Sequence, residues 1–237
     1  MIAVFVNCAA VLAGSVAGYF FHKKITEEFK TAVYTGIGIF TLVIGMSMAL
    51  ETKRIVYLAL SLVIGGIAGS ALDIEGKIYA FGEFLKTHLV RTSEGKHNFA
   101  YGFLNASVLF CVGAMALVGS FKAGTQGDYT LIFTKSIMDG FIAILMTAAL
   151  GIGVAFSVIP ILIYQGGLTL LAAAIAPWVS PLMLSELTGT GGALVLMIGF
   201  NLLELKRIKT GNFIMALPAA SLLVLADPFI THYFSFG

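Results

Sequence analysis

The stretch Gly140–Ser185, GFIAILMTAALGIGVAFSVIPILIYQGGLTLLAAAIAPWVSPLMLS, holds no Asp, Glu, Lys, Arg or His. At 1.5 Å rise per residue, one helix of this length would be roughly twice as long as the ~30 Å hydrocarbon core of a bilayer. The stretch therefore folds back on itself. Pro160 lacks an amide proton and obstructs the turn before it, so the bend is expected at 158–161. This predicts two membrane spans, near 136–158 and 160–178.

The same length rule, applied outward, places spans near 2–21, 31–50, 55–72 and 99–121, then near 187–204 and 213–232. The reading is all-α: a polytopic transmembrane helical bundle of about eight spans in a single integral membrane domain, 1–237. Composition agrees, with 59% hydrophobic and 11% charged residues, less than half the charge that usually covers a soluble domain. Met1–Phe21 ends near a small-residue Ala13-Gly14-Ser15 site but has no basic leader, so it reads as a retained first helix. Between spans, 73–98 repeats Ile74, Ile78, Phe81, Leu85 and Leu89 at helical steps among Lys77, Lys86 and Arg91. That pattern predicts an amphipathic helix in the inner interface.

Lys and Arg set the orientation. With both termini outside, the inner loops carry Lys23, Lys24, Lys30, Lys77, Lys86, Arg91, Lys96, Lys206, Arg207 and Lys209, whereas Lys53, Arg54, Lys122 and Lys135 face out.

A shift of 153 residues superposes Thr35-Gly36-x-Gly38 on Thr188-Gly189-x-Gly191 and Leu50-Glu51-x-Lys53-Arg54-Ile55 on Leu203-Glu204-x-Lys206-Arg207-Ile208; Gly14 meets Gly167. Spans 1–3 (1–72) then correspond to spans 6–8 (159–237), flanking the linker 73–98 and central helices 99–158. Copies five spans apart lie upside down, which predicts an inverted repeat. Secondary transporters are commonly built this way, with the substrate at the midplane beside broken helices. Gly166-Gly167 and Gly189–Gly192 are the expected breaks, and the pairs Gly14/Gly18 and Gly65/Gly69 are expected to let helices pack closely.

Polar groups in hydrocarbon need a partner or a function. Asp139 is the sharpest candidate: either it serves a site, or it pairs with Lys135 near the outer interface within reach of water. Ser157, Tyr164, Gln165, Asn201, Asn7 and Ser15 complete the candidate solute- or ion-binding set; Asn105, Ser107 and Ser120 are further buried amides and hydroxyls. Cys8 and Cys111 lie in apolar runs and read as small hydrophobes. Scattered His22, His88, His97 and His232 show no metal spacing, and no phosphate-binding loop is present. No catalytic set, metal or cofactor is expected, and no nucleic-acid partner. The expected partners are the bilayer, a small solute or ion, and a second copy of the chain. The function expected is a transporter or channel. The alternatives are a scaffold or assembly protein and, with less support, a membrane enzyme or lipid-handling protein, which would need titratable groups converging at headgroup depth.

The runs Phe110-Cys111-Val112-Gly113-Ala114-Met115, Lys135-Ser136-x-x-Asp139-Gly140, Gly151-x-Gly153-Val154-x-x-Ser157 and Tyr164-Gln165-Gly166 resemble the YqgA/YdfK family of bacterial inner-membrane proteins, a domain of unknown function. The likeness extends from Val6-Asn7 to Gly199-x-Asn201-Leu202. It implies an all-helical membrane protein and supplies no substrate or site residue.

Overall fold

The computed structural model describes residues 1–22, 27–89, 96–111 and 114–233. Lys23, Lys24, Arg91 and Gly113, with the stretch 90–95 of the expected linker, fall outside them. Among the described residues every regular element is helical: α1 (Ile2–His22), α2 (Glu27–Ala49), α3 (Ile55–Ala71), α4 (Ile74–Leu89), α5 (Lys96–Cys111), α6 (Ala114–Thr125), α7 (Thr130–Leu150), α8 (Val158–Ile175), α9 (Pro181–Leu202) and α10 (Ala216–Tyr233). Short 3₁₀ turns at Ile152–Ser157, Ala176–Trp178 and Thr210–Met215 join the later helices.

Among the described residues, five helical segments are long and apolar enough to cross a membrane, or seven if each of two bent pairs is one span. The pairs are α3 with α4 and α5 with α6, each bent by 57°. The apolar part of α2, Tyr34–Ala49, is shorter. Outward side chains are apolar: Ile137, Phe141, Ile163 and Phe229 are each about 70% exposed. Large apolar side chains this exposed suit hydrocarbon, not water.

Several expected boundaries move. The break between spans five and six lies at Gly151, not at Pro160. α7 ends at Leu150, and Gly151 takes φ 85° and ψ −173°, a conformation essentially restricted to glycine. Pro160 falls in the first turn of α8, where amides have no partner within the helix and proline disturbs nothing. Gly151→Ala is expected to lower stability by about 1–3 kcal/mol, read as the shift of the denaturation midpoint in detergent; an unchanged midpoint would contradict this geometry.

The expected breaks at Gly166-Gly167 and Gly189–Gly192 are also corrected, since both lie inside continuous α8 and α9. The span expected from 187 begins earlier. Ser180 caps α9, its hydroxyl accepting the Met183 amide at 3.1 Å, and Pro181 occupies the first helical position. The region 99–121, expected as one span, is divided between α5 and α6. The linker helix is present as α4, with Leu85 buried and Phe81 and Phe84 exposed.

Glycine sets the helix seams. A Cβ on Gly14 would collide with the carbonyl of Gly140, and one on Gly18 with that of Ile144, so α1 and α7 run parallel in backbone contact. Leu42 lies against Gly199, Gly45 against Leu196 and Thr52 against Gly189, so α2 and α9 run antiparallel. Gly65 abuts Ala216 and Gly69 abuts Asn212, which sets α3 antiparallel to α10 and its preceding 3₁₀ turn. Met1 lies near Gly166 and Cys8 near the Val158 carbonyl, making α1 antiparallel to α8. The main core fills the space between these seams, with Val11, Phe110, Met146, Ile161, Leu194 and Ile198 all fully buried.

Candidate functional site

Three of the side chains singled out from sequence meet in one buried cluster. α7 places Lys135 and Asp139 one turn apart, and they form a salt bridge with both side chains more than 90% buried. Lys135 Nζ also lies 5.8 Å from the centre of the Phe110 ring, within cation–π range. From α1, Asn7 reaches the Asp139 carboxylate, and its Nδ2 donates to Gln165 Oε1 on α8 at 3.0 Å. Thr169 donates its hydroxyl to the Gln165 carbonyl at 2.7 Å. Of the two readings of Asp139, the pairing with Lys135 is present. Its expected setting, within reach of water, is not.

This cluster keeps unused hydrogen-bonding capacity. Among the described residues, Asn7 Oδ1 and Gln165 Nε2 have no partner although both are buried. Ser15 Oγ, Thr147 Oγ1 and Ser157 Oγ are in the same position. A buried polar group without a partner costs about 1–3 kcal/mol, more than packing alone would justify.

A second group forms a cavity of about 350 Å³ at the end of the bundle that carries the loop after α9. Tyr34 of α2, Glu75 and Tyr79 of α4, Tyr101 and Asn105 of α5, and Asn201 of α9 line it. Glu204, Lys206 and Arg207 complete the wall. Asn201 fixes the loop: its Nδ2 donates to the Ile208 carbonyl at 2.8 Å and its Oδ1 accepts the Ile208 amide at 2.7 Å. Glu75 accepts the Gly211 amide at 2.9 Å and gives its own amide to Asn212 Oδ1 at 2.9 Å, tying α4 to the start of the last span. Tyr34 donates to the Ala149 carbonyl at 3.0 Å, linking the cavity wall to the end of α7. The Asn105 amide nitrogen donates to the Tyr101 carbonyl at 2.9 Å, but its buried Oδ1 has no partner among the described residues.

Tyr164 joins neither group. It lines a separate apolar cleft of about 490 Å³ with Phe81, Phe103, Pro160 and Leu217, which shares Leu104 with the polar cavity. Ser15 and Ser157 are buried on α1 and at the end of the first 3₁₀ turn, and Asn201 belongs to the cavity, so the seven expected residues do not form one site.

Sequence reading also missed Glu186. It is fully buried and accepts three hydrogen bonds, from Thr52 Oγ1 at 2.6 Å, the Lys53 amide at 2.7 Å and the Arg54 amide at 2.9 Å. Its carboxylate thereby anchors the turn that leads into α3, beside a helix N-terminus whose dipole favours an anion. Beside it, Asp227 on α10 accepts from Tyr57 at 2.6 Å and lies 3.5 Å from Arg54. Among the described residues no group of three His, Cys, Asp or Glu side chains is placed to hold a metal ion.

A family model described as "Protein of unknown function (DUF554)" matches residues 2–225. The uncharacterized membrane protein YdfK of Bacillus subtilis is 27% identical over 215 residues, spanning 89% of this chain and 90% of that protein. The uncharacterized protein YqgA of Escherichia coli is 28% identical over 220 residues, spanning 92% and 93% respectively. No solved structure matches. With the apolar helices, the likeness to YdfK places the chain in a membrane.

Proposed function

The chain belongs to the DUF554 family, and from that premise we propose that it carries a small polar solute or ion across the bacterial cytoplasmic membrane and catalyses no reaction. The observation that carries this reading is the polar cavity, which draws its wall from α2, α4, α5, α9 and the loop after α9, and so from both halves of the chain. A bundle that only packed against lipid would have no use for it.

In this reading there are eight spans, the bent pairs each counting as one and α2 included, with both termini outside. Spans 1–3 and 6–8 form inverted repeats. The antiparallel pairing of α1 with α8, α2 with α9 and α3 with α10 supports that symmetry, because a two-fold axis in the membrane plane reverses each helix against its counterpart. The cavity then faces the cytoplasm, and the Asn7–Gln165–Asp139 cluster lies deeper, where it meets the solute or a proton. Open space around Gly36 and Gly167 leaves small outward surfaces for a second copy of the chain.

One observation favours the scaffold reading, namely that Asp139 is already paired with Lys135. Proteoliposome flux decides between the two. Wild type is expected to move at least one member of a panel of labelled small solutes and ions, and Gln165→Ala and Asp139→Asn to slow that flux at least tenfold. Wild-type flux insensitive to both substitutions would remove the cluster from the pathway, and no flux of any solute would favour the scaffold.

A further inference from the structure

We propose that the polar cavity binds a small zwitterion carrying a primary ammonium group and a carboxylate, the chemistry of a free amino acid; this rests on the transport reading and names its substrate class.

The first ground is charge. The wall contributes two acids, Glu75 and Glu204, and two bases, Lys206 and Arg207. A solute with a net charge would leave this set unbalanced, whereas a zwitterion meets each sign with its opposite. Arg207 and Glu75 line it together with Tyr79 and Tyr101, so a cation and an anion border the same space. A guanidinium is the side chain best shaped to grip a carboxylate, through two parallel hydrogen bonds.

The second ground is the orphan acceptor. Asn105 is 1% exposed, lines the cavity and has an Oδ1 without a partner among the described residues. That oxygen calls for an N–H or O–H donor. An ammonium group supplies three, while a trimethylated nitrogen supplies none. Donor count therefore separates an amino acid from its betaine, although the two carry the same charges.

The third ground is shape. Tyr34, Tyr79 and Tyr101 present aromatic walls, which suit both a cationic nitrogen and a modest apolar side chain. The volume of about 350 Å³ lies at the small end of the ~300–1,000 Å³ range of ligand sites. A free amino acid fits within it.

The test is equilibrium binding to the full-length protein in lipid nanodiscs, using labelled glycine, alanine, leucine, glutamine and glutamate, with glycine betaine and inorganic phosphate as contrasts. At least one amino acid is expected to bind saturably, with affinity reduced at least tenfold in Asn105→Leu and in Arg207→Gln and with no binding of betaine. Asn105→Leu removes the unpaired buried oxygen, and the Tyr101 carbonyl that loses the side-chain donor remains inside α5, so the thermal midpoint should stay unchanged or rise, which separates loss of the site from loss of the fold. Equal binding of betaine, binding of phosphate alone, or no amino-acid binding by folded wild type would overturn the proposal. Flux of a different solute in proteoliposomes would leave the transport reading standing and sink only the substrate class. Amino-acid binding without flux would do the reverse.

Discussion

Asp139→Leu is expected to lower stability by about 3 kcal/mol, and the double variant Lys135→Met/Asp139→Leu to recover most of that loss. The pair is more than 90% buried, so removing either member strands a charge in a low-dielectric core. Breaking a buried pair in this way costs about 3–5 kcal/mol, whereas replacing both partners with apolar side chains of similar volume is often neutral. Lys135→Met alone should also destabilise, leaving the Asp139 carboxylate with Asn7 as its remaining support. Denaturation midpoints of the four species in mixed micelles give the coupling directly, and additive single effects would show that the two charges are not held together. The double variant has a second use. If the pair only locks α7 in place, the protein with two apolar side chains keeps its transport; if the charges act on the solute, it folds well and moves nothing.

Gly14→Ala should cost about 2–3 kcal/mol, at the upper end of overpacking penalties, because the added methyl meets a backbone carbonyl that has no rotamer to yield. α1 and α7 would have to separate along their whole parallel seam. Gly167→Ala provides the contrast. Nothing lies within 4 Å of a Cβ there, and alanine is favoured over glycine in a helix by up to about 1 kcal/mol, so this variant should be neutral or slightly more stable. The same denaturation measurement reads both, and equal effects would refute the seam. These two glycines coincide under the 153-residue shift, yet they do different work. The glycine match in the repeat therefore reflects no shared packing role at this position.

The helical membrane bundle was readable from sequence because hydrocarbon enforces it: each span must be long, apolar and internally hydrogen-bonded. The seams at Gly14/Gly18 and Gly65/Gly69 were readable for a related reason, since small residues at four-residue spacing have few other uses in lipid. The breaks were misplaced because proline is conspicuous in sequence and positive φ is not. Pro160 sits in a first turn that tolerates it, while Gly151 looks like any other glycine until its backbone angle is seen. Glu186 escaped notice because the uncharged run stops at Ser185, so the next residue looked like a loop beginning. Asn7 and Gln165 were each suspected from their cost in hydrocarbon, but their partnership spans 158 positions and no periodicity reports it. The cavity is the plainest case. Tyr34, Glu75, Tyr101 and Arg207 come from separate elements, and each alone resembles an ordinary residue at a membrane edge.

The anchoring of the turn before α3 by Glu186 also constrains how the chain is made. The ribosome releases Lys53 and Arg54 more than a hundred residues before the carboxylate that will receive their amides. Until α9 enters the bilayer, the start of α3 must borrow water or lipid headgroups for those bonds, and α2 lacks the neighbour its glycines were shaped to meet. The early helices can be inserted in order, but they reach their final arrangement only once α9 has been made, so a chain cut before α9 leaves a first half unable to close.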